Sequence, residues 1–358
     1  MSYLLWALLA GLILLFAGYL YEALQEARDR HRYPPQGLFV KVAGRRMHLL
    51  MQGAARGPSV VIEQGMGSPS LIWWPIQSAI ARFARVLTYD RVGFLWSDAA
   101  AGKRSLDDRV SDLRAVLQQA RVPPPYVLVG HSMGGLLIRQ FARVHPELTA
   151  GLVLVDSPDE SVIFRAAVMP YYRRGIALQR VLRAAAFFGL LRLVGRHIPM
   201  LMLPDDERGY ALCVTPRHAA AAADDMRCLM NADASARRPD APGSLGDRPL
   251  VLLRHGIPFP PVAAAMEVGW AESQERLARL STNSEIIVAE KSSHLIHLDE
   301  PELVVEAVRR AHAAARDGLR LSDLDSAPPV AACPNPAGPA PMLRDRPPAA
   351  ALQIGATT

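Results

Sequence analysis

The chain has 358 residues, half of them apolar, and a formal net charge of +6. This length accommodates one large core with an insertion. The basic residues are scattered, without the lysine–arginine blocks and interleaved aromatics of a nucleic-acid groove, so we expect no nucleic-acid partner. The cysteines lack C-x-x-C spacing, and we predict neither a metal site nor a cofactor.

An uncharged run, YLLWALLAGLILLFAGYLY, occupies residues 3–21. As a helix it would be roughly 28 Å long, about the hydrocarbon thickness of a bilayer. Trp6 near one end and Tyr19 and Tyr21 at the other are typical interface aromatics. A cleaved signal peptide is the alternative, but it requires preceding basic residues and a good cleavage site, and the run has neither. We therefore predict a single-pass transmembrane anchor and juxtamembrane linker over residues 1–33.

The orientation of this anchor depends on the charges that follow it. Arg28, Arg30 and Arg32 come after the run, and the positive-inside rule would then leave the body of the protein in the cytoplasm. Acidic residues are interspersed among them but count little in that rule. The side of the membrane and the oligomeric state both stay open.

Short β-branched runs recur along the body of the chain. Near-continuous hydrophobicity of this kind is typical of parallel strands buried on both faces. Upstream, LFVKVAG and RRMHLLMQG meet at a glycine, which predicts an antiparallel hairpin. Helical segments separate most of the runs, one with Ser105 as its N-cap and one with Pro301 in its first turn. This alternation predicts an α/β layered fold. The runs are residues 59–63, 85–89, 126–130, 151–155, 249–253 and 284–289.

The spacing of strands breaks once, after the run that ends at Val155. We predict a helical cap over residues 157–247, inserted into a core formed by residues 34–156 and 248–316. The cap contains an apolar, arginine-studded segment that would either pack over a cleft or lie on a lipid surface.

The end of the chain has a different composition. From Asp317 onward prolines become frequent and few large apolar residues remain. Such a segment sustains neither a helix nor a strand ladder and has little to bury. We predict a disordered Pro/Ala-rich tail over residues 317–358.

The segment GHSMGG, residues 130–135, lies between a predicted strand and a predicted helix. A sharp strand-to-helix turn strains its serine and exposes the hydroxyl, which would make Ser132 a nucleophile. Gly130 and Gly134 permit the turn because a Cβ at either position would collide with the neighbouring chain. A simple turn residue is the alternative interpretation of Ser132.

Four segments in this order resemble the α/β-hydrolase family. They are EQGMG (63–67), YDRVGFLWSD (89–98), GHSMGG (130–135) and SSHLIHLDEP (292–301), and the resemblance extends over roughly residues 36 to 316. It implies a mostly parallel eight-stranded sheet flanked by helices. It also implies a serine nucleophile with a histidine base and an acidic partner.

A serine hydroxyl needs a base within hydrogen-bond reach. The resemblance places the catalytic histidine just past the last strand, at His294, with His297 as the second candidate. Either could instead be a surface or helix-entry residue. We expect His131 and His255 to be structural.

The acid of the predicted triad is less clearly marked. Family members most often carry it after the seventh strand, where this chain has no acidic residue until Glu267. A minority arrangement places it after the sixth strand, which is the position of Asp156. We favour Asp156, with Glu267 and Glu272 as alternatives. A strand-end aspartate that caps the next turn is the other interpretation.

An anionic tetrahedral intermediate requires hydrogen-bond donors. The resemblance suggests the backbone N–H groups of Met66 and Met133 as the oxyanion hole. We expect Asp90 and Arg91 to lock their turn together rather than to touch substrate.

These residues predict a membrane-anchored serine hydrolase. Its expected substrate is an uncharged or lipid-like carboxylic ester, because the cap is rich in apolar residues and the anchor holds the enzyme at a bilayer. A hydrolase of amides, thioesters or carbon–carbon bonds on the same triad is one alternative. A non-catalytic, hydrolase-like binding domain is the other.

Overall fold

The computed structural model describes residues 2–99, 102–197, 206–232 and 240–326. Within these ranges the strands form one eight-stranded sheet with the order β1-β2-β4-β3-β5-β6-β7-β8. The strands are β1 (Leu38–Val42), β2 (Arg45–Gln52), β3 (Ser59–Glu63), β4 (Val86–Tyr89), β5 (Tyr126–His131), β6 (Thr149–Val155), β7 (Leu250–His255) and β8 (Ser284–Ala289).

The sheet is antiparallel at one edge and parallel elsewhere. β1 pairs with β2 and β2 with β4 in antiparallel fashion, and the pairs from β4 across to β8 are parallel. The central strands β3 and β5 are buried along their whole length because helices cover both faces. The predicted α/β fold, its mostly parallel sheet and its opening hairpin are confirmed.

The helices of the core form two layers. On one face of the sheet lie α3 (Leu106–Gln119), α4 (Met133–Val144) and α11 (Trp270–Ala278), and on the other lie α2 (Trp74–Ile80) and α13 (Pro301–Asp317). α3 begins at Ser105, whose side chain and that of Asp108 form a reciprocal capping box. α13 begins at Pro301, where a missing N–H costs nothing. Two further helices are short: α10 (Ala264–Glu267) directly precedes α11, and α12 (Ile296–Asp299) directly precedes α13.

Between β6 and β7 the chain forms a helical region, which we call the cap. Its helices are α5 (Glu160–Ile163), α6 (Met169–Phe187), α7 (Leu190–Val194), α8 (Glu207–Cys213) and α9 (Pro216–Met230). The Asp225 carboxylate on α9 accepts hydrogen bonds from Arg91, which follows β4, and from the backbone N–H of Gly67, which follows β3. The cap therefore lies over the carboxyl ends of the strands.

The first helix, α1 (Ser2–Arg32), is continuous through the predicted anchor and the predicted linker. Among the described residues, one helix, Tyr3–Arg32, is long and apolar enough to cross a membrane, and its apolar window is exposed. The end of the helix is different, because Glu22 is buried against the cap. Residues 22–32, which include most of the predicted juxtamembrane linker, are thus helical, and Glu22 holds the start of this segment against the cap.

The predicted disordered tail begins too early. After α13 the chain forms a 3₁₀ turn at Leu321–Ser326, and Leu321 is buried against the core. The Leu321 N–H donates to the Asn283 side chain, 2.8 Å away. One apolar side chain and one side-chain cap thus order a segment whose composition predicted disorder. The remainder of the predicted tail, residues 327–358, lies outside the described residues.

Candidate active site

Ser132 occupies the sharp turn between β5 and α4. Its φ is +52°, a left-handed conformation that is strained for a residue with a side chain. Strand and helix approach so closely that a Cβ at Gly130 would lie 2.7 Å from the Gly134 carbonyl. A Cβ at Gly134 would lie 2.5 Å from the Glu63 carbonyl oxygen of β3. Glycine at both positions therefore allows the turn to hold Ser132 at the carboxyl end of the sheet.

His294, in the loop between β8 and α12, contacts Ser132 directly. Its Nε2 is 3.0 Å from the Ser132 Oγ, and its Nδ1 is 2.7 Å from the Asp156 Oδ2. Because an ionised carboxylate only accepts hydrogen bonds, Nδ1 carries the proton. The neutral ring then presents an unprotonated Nε2 to the serine hydroxyl, which is the tautomer that a general base requires.

Asp156 directly follows β6 and is fully buried, with a φ of +45°. Besides His294, it accepts hydrogen bonds from the His255 ring at 2.7 Å and from the Trp270 Nε1 at 3.0 Å. Burial disfavours the charged form, but the hydrogen bonds from His255 and His294 outweigh it and hold the pKa of Asp156 well below its ordinary value. The site therefore contains a buried, ionised carboxylate.

The two glutamates considered as alternative acids lie elsewhere. Glu267, at the end of α10, accepts a hydrogen bond from the Phe259 N–H at 2.9 Å and lies 3.3 Å from the His255 Nε2. Glu272 is exposed on α11. The structure brings Asp156, and neither glutamate, into hydrogen-bond contact with His294.

Two further histidines surround His294 and are kept neutral by burial. His297, the second candidate for the base, stacks on Trp73 at a centroid distance of 4.6 Å, and burial holds its pKa well below the usual value. Burial, with the nearby His294, lowers the pKa of His131 to about 3. The His131 ring lies 2.9 Å from the His294 carbonyl oxygen and helps to hold that loop.

The predicted oxyanion donors lie on neighbouring segments. Met133 is the first residue of α4, directly after the serine, and Met66 lies in the loop that follows β3. The close contact of Gly134 with the Glu63 and Gln64 carbonyls brings that loop against the start of α4. Both backbone N–H groups thus belong to segments that meet at Ser132.

Asp90 and Arg91 lie in the turn after β4. The Asp90 carboxylate accepts hydrogen bonds from the His48 ring and the Trp96 N–H. Arg91 is buried and donates to Glu63 and to Asp225. Their contacts join neighbouring segments, in agreement with the expectation that they lock the turn.

The sequence did not mark two residues that contact the acid. His255 ends β7, and its position is a signal in retrospect, because the resemblance described above most often places the acid after this strand. Trp270 opens α11, and nothing in its sequence context distinguishes it from a core aromatic. Phe259 contacts both residues and the His294 ring, with centroid distances of 4.9 to 5.1 Å. Among the described residues, no cluster of three or more histidine, cysteine or acidic side chains could hold a metal ion.

The fold and the arrangement of Ser132, His294 and Asp156 can now be compared with known proteins. Residues 58–188 match the family model described as alpha/beta hydrolase fold. This match and the eight-stranded, mostly parallel sheet show that the chain has the α/β-hydrolase fold.

Individual proteins are similar to the chain at low sequence identity or over only part of its length. The chain is 27% identical over 274 residues to the uncharacterized protein YqjL of Bacillus subtilis, covering 76% of this chain and 91% of that protein. It is 34% identical over 114 residues to the putative carbamate hydrolase RutD of Variovorax paradoxus, covering 31% of this chain and 42% of RutD. A thermophilic esterase from Thermogutta terrifontis superposes with a TM-score of 0.58 at 22% identity, covering 78% of this chain and 99% of the esterase. At this identity, the likeness to the esterase establishes the fold alone.

Proposed function

We propose that this chain is a membrane-anchored serine hydrolase that cleaves an uncharged or lipid-like carboxylic ester. One observation carries the proposal: His294 lies 3.0 Å from the Ser132 hydroxyl and 2.7 Å from the Asp156 carboxylate. A hydroxyl, a neutral imidazole and a buried carboxylate in this sequence form the arrangement that activates a serine nucleophile.

The reaction proceeds in two halves. Ser132 Oγ attacks the ester carbonyl carbon as its proton passes to His294 Nε2. The tetrahedral oxyanion accepts hydrogen bonds from the Met66 and Met133 N–H groups. His294 then donates the proton to the departing alkoxide, which leaves an acyl group on Ser132. Water that His294 deprotonates cleaves this acyl-enzyme and releases the acid.

Asp156 acts through His294 and does not touch the substrate. Its ionised carboxylate holds Nδ1 in the protonated tautomer and stabilises the imidazolium that forms when Nε2 takes the proton. The lowered pKa of Asp156 supports this role, because it keeps the carboxylate ionised at neutral pH.

The choice of an ester rests on the surroundings of the site. The first seventeen residues of α1 are mostly exposed and apolar, which suits a bilayer, and an anchored enzyme meets substrates that partition into lipid. The chain shares its fold with a known esterase. Serine as the nucleophile disfavours halide or epoxide displacement, which requires an aspartyl ester.

A second candidate is hydrolysis of a carbon–nitrogen bond on the same three residues. The segment similar to RutD favours it, because RutD is named as a putative carbamate hydrolase. The first half-reaction would differ only in its leaving group, an amine in place of an alkoxide.

Two measurements on full-length protein in detergent test the proposal. A fluorophosphonate probe should label the wild type and leave Ser132→Ala unlabelled. A panel of p-nitrophenyl esters from acetyl to palmitoyl should then give turnover that depends on Ser132. An unlabelled wild type would contradict the serine mechanism. A labelled wild type that turns over carbamates or amides but no ester would contradict the substrate class and leave the mechanism standing.

A further inference from the structure

The second half of α1 packs directly on the cap. The Tyr19 ring lies 5.0 Å from the Phe187 ring at the end of α6. A Cβ at Gly18 would lie 2.5 Å from the Phe188 carbonyl oxygen, so the two backbones touch. The position of α1 therefore determines the position of this part of the cap.

A buried ion pair joins the same two segments. Arg192 on α7 donates to both carboxylate oxygens of Glu22, at 2.7 and 3.0 Å, and also pairs with Asp29. The side chains of Arg192 and Glu22 are almost completely covered. A buried charge that loses its partner is costly, so this contact fixes α1 on α7.

These contacts set the height of the cap relative to a membrane. Glu22 is the first charged residue of α1, so residues 18–21 are the last part of its apolar run. Two of them, Gly18 and Tyr19, contact Phe188 and Phe187 respectively. A helix rises about 1.5 Å per residue, which places this part of the cap within roughly one helical turn of the level where α1 leaves the hydrocarbon.

The segment at this height, residues 187–194, exposes large apolar side chains. We call it the α6–α7 corner. Phe187, Leu190, Leu193 and Val194 are all exposed, and Leu193 retains 61% of its accessible surface. On the preceding turns of α6 the side chains of Arg180 and Arg183 are also exposed, where they can meet anionic headgroups.

We propose that the α6–α7 corner inserts these four apolar side chains into the interface of the bilayer that α1 spans, so that the cap rests on the lipid. A lipid surface is the occupant because the corner is continuous with the exposed apolar surface of α1 and lies at the level of its last uncharged turn. The inference rests on the membrane anchoring in the proposed function. It adds a second contact, made by the cap itself.

Depth-dependent quenching of a fluorophore tests this contact on the full chain in lipid vesicles. A nitrobenzoxadiazole label is attached to Leu193→Cys, and its emission is compared between ordinary phospholipid and phospholipid brominated on the acyl chains. Cys213 and Cys228 are buried, and Cys333 is replaced by serine in every variant. The label at residue 193 should lose emission in brominated vesicles.

Two matched positions separate the outcomes. Leu12→Cys, in the apolar half of α1, reports the anchor, and Val144→Cys, exposed at the end of α4, reports the core surface. Quenching at Leu12 and Leu193 but not at Val144 supports the proposal. Quenching at Leu12 alone would overturn the corner contact and leave the anchor intact. A label at Leu12 that is not quenched would overturn the anchor, and the corner contact with it.

A different observation carries a second inference, inside the active site. Asp156 is shared by two histidines, each of which places its Nδ1 2.7 Å from the carboxylate. The His255 backbone N–H also donates to Asp156, at 3.1 Å. On its other side, the His255 Nε2 lies 3.3 Å from Glu267. The ring thus bridges the triad acid and the glutamate that the sequence offered as its rival.

We infer that His255 is a positioning residue that fixes the Asp156 carboxylate for His294. The His294 Nδ1 contacts only Oδ2 of the carboxylate, whereas the His255 Nδ1 lies 2.7 Å from Oδ2 and 2.9 Å from Oδ1. Together with the Trp270 Nε1, which donates to Oδ1, the His255 ring therefore restricts rotation of the carboxylate. The inference rests on the proposed function, because a position for Asp156 matters only if His294 acts as a base.

A pair of amide substitutions tests the geometry. In His255→Asn the side-chain amide takes the place of Nδ1 and keeps a donor on Asp156, whereas in His255→Gln it takes the place of Nε2. The glutamine variant should lose on the order of a hundredfold in kcat with KM unchanged, because small misplacements of catalytic groups have effects of this size. The asparagine variant should recover most of that loss.

Melting temperatures of both variants accompany the kinetics. Equal kcat values for the two variants would overturn the positioning role, as would a loss of kcat that follows the melting temperature. A wild type without turnover on any substrate would count against the proposed function itself, so the two failures are distinguishable.

Discussion

The core and the cap both bury charged side chains, but they arrange them differently. In the core, buried Asp156 contacts His294, whose side chain is 23% exposed and faces a serine hydroxyl. At the junction with the cap, Asp225 on α9 lies between two buried arginines, Arg91 and Arg109, with both ion-pair distances at 2.7 Å.

The difference lies in what each set can do with a proton. Arginine stays protonated in proteins and cannot act as a base, so the junction can only hold two segments together. A neutral histidine between a carboxylate and a hydroxyl can take a proton and return it. Burial of charge alone therefore does not mark a catalytic site; a titratable group at the open end of the cluster does. Substitutions of Ser132 or Asp156 should therefore change turnover, whereas substitutions of Asp225 should change stability.

The largest effect is expected at the nucleophile. Ser132→Ala should lower kcat on the order of a million-fold, because the proposed mechanism forms the acyl-enzyme on this hydroxyl, while the melting temperature changes little. The measurement is steady-state turnover of a p-nitrophenyl ester with circular dichroism alongside. Retained turnover in a folded variant would show that Ser132 is not the nucleophile and that the core cluster does not serve catalysis.

The acid should have the next largest effect. Asp156→Asn should lower kcat roughly ten-thousand-fold, because the amide favours the wrong tautomer of His294. Glu267→Gln and Glu272→Gln are the controls and should stay within about tenfold of the wild type, since neither carboxylate contacts His294. A severe loss in either control together with an active Asp156 variant would reassign the acid.

At the junction the expected effect is on folding. Asp225→Asn should lower the free energy of unfolding by about 3–5 kcal/mol, because it leaves Arg91 and Arg109 buried with reduced compensation. Asp224→Asn is the matched control, since that side chain is partly exposed and, among the described residues, pairs with Arg109 only. We expect a loss of about 1 kcal/mol or less. Chemical denaturation measures both, and equal losses would show that burial does not distinguish the two sites.

The sequence predicted the core better than the cap, for a physical reason. Strands buried on both faces must be continuously apolar, so the runs at β3 and β5 stand out, and the turn at Ser132 requires glycines at fixed positions. The ion pair between Arg91 and Asp225 joins residues 134 positions apart, and α9 is an alanine-rich helix with no local mark of that contact. Pairing across such a distance is a property of the fold.

The same limit applied within the site. The family resemblance pointed to Asp156, Glu267 and Glu272 as candidates for the acid but gave no distance from any of them to His294. His255 looked structural because an isolated histidine at a strand end carries no pattern. β6, β7 and β8 lie side by side in the sheet, so the residues at their carboxyl ends come together. This arrangement lets the His255 and His294 rings share the Asp156 carboxylate.

Two truncations of α1 compare its apolar run with the ion pair that joins it to the cap. Removal of residues 1–33 should lower stability by about 3 kcal/mol, because Arg192 loses both acidic partners. Removal of residues 1–16 deletes most of the apolar run and keeps Glu22, so it should release the protein from membranes with little change in unfolding. Differential scanning fluorimetry and vesicle flotation distinguish the two. Equal stability of both truncated forms would show that the ion pair does not hold α1 to the cap.

The smallest expected effect is the acid sensitivity of the core. His131 and His297 are kept neutral by burial, so the unfolded chain binds more protons than the folded chain once the pH falls below about 6.5. Their contribution to stability is therefore complete above that pH and is lost on acidification, by up to about 1.4 kcal/mol per pH unit for each ring.

His297→Phe isolates one of these rings. Phenylalanine can keep the stacking on Trp73, and neither ring nitrogen of His297 has a hydrogen-bond partner among the described residues. The variant should be close to the wild type at pH 7.5 and lose less stability at pH 5.5. His48 and His255 titrate in the opposite sense, since their acidic partners raise the pKa of each above its ordinary value despite burial, but both are present in wild type and variant alike. An unchanged difference between the two pH values would mean that the folded chain already admits a proton at His297.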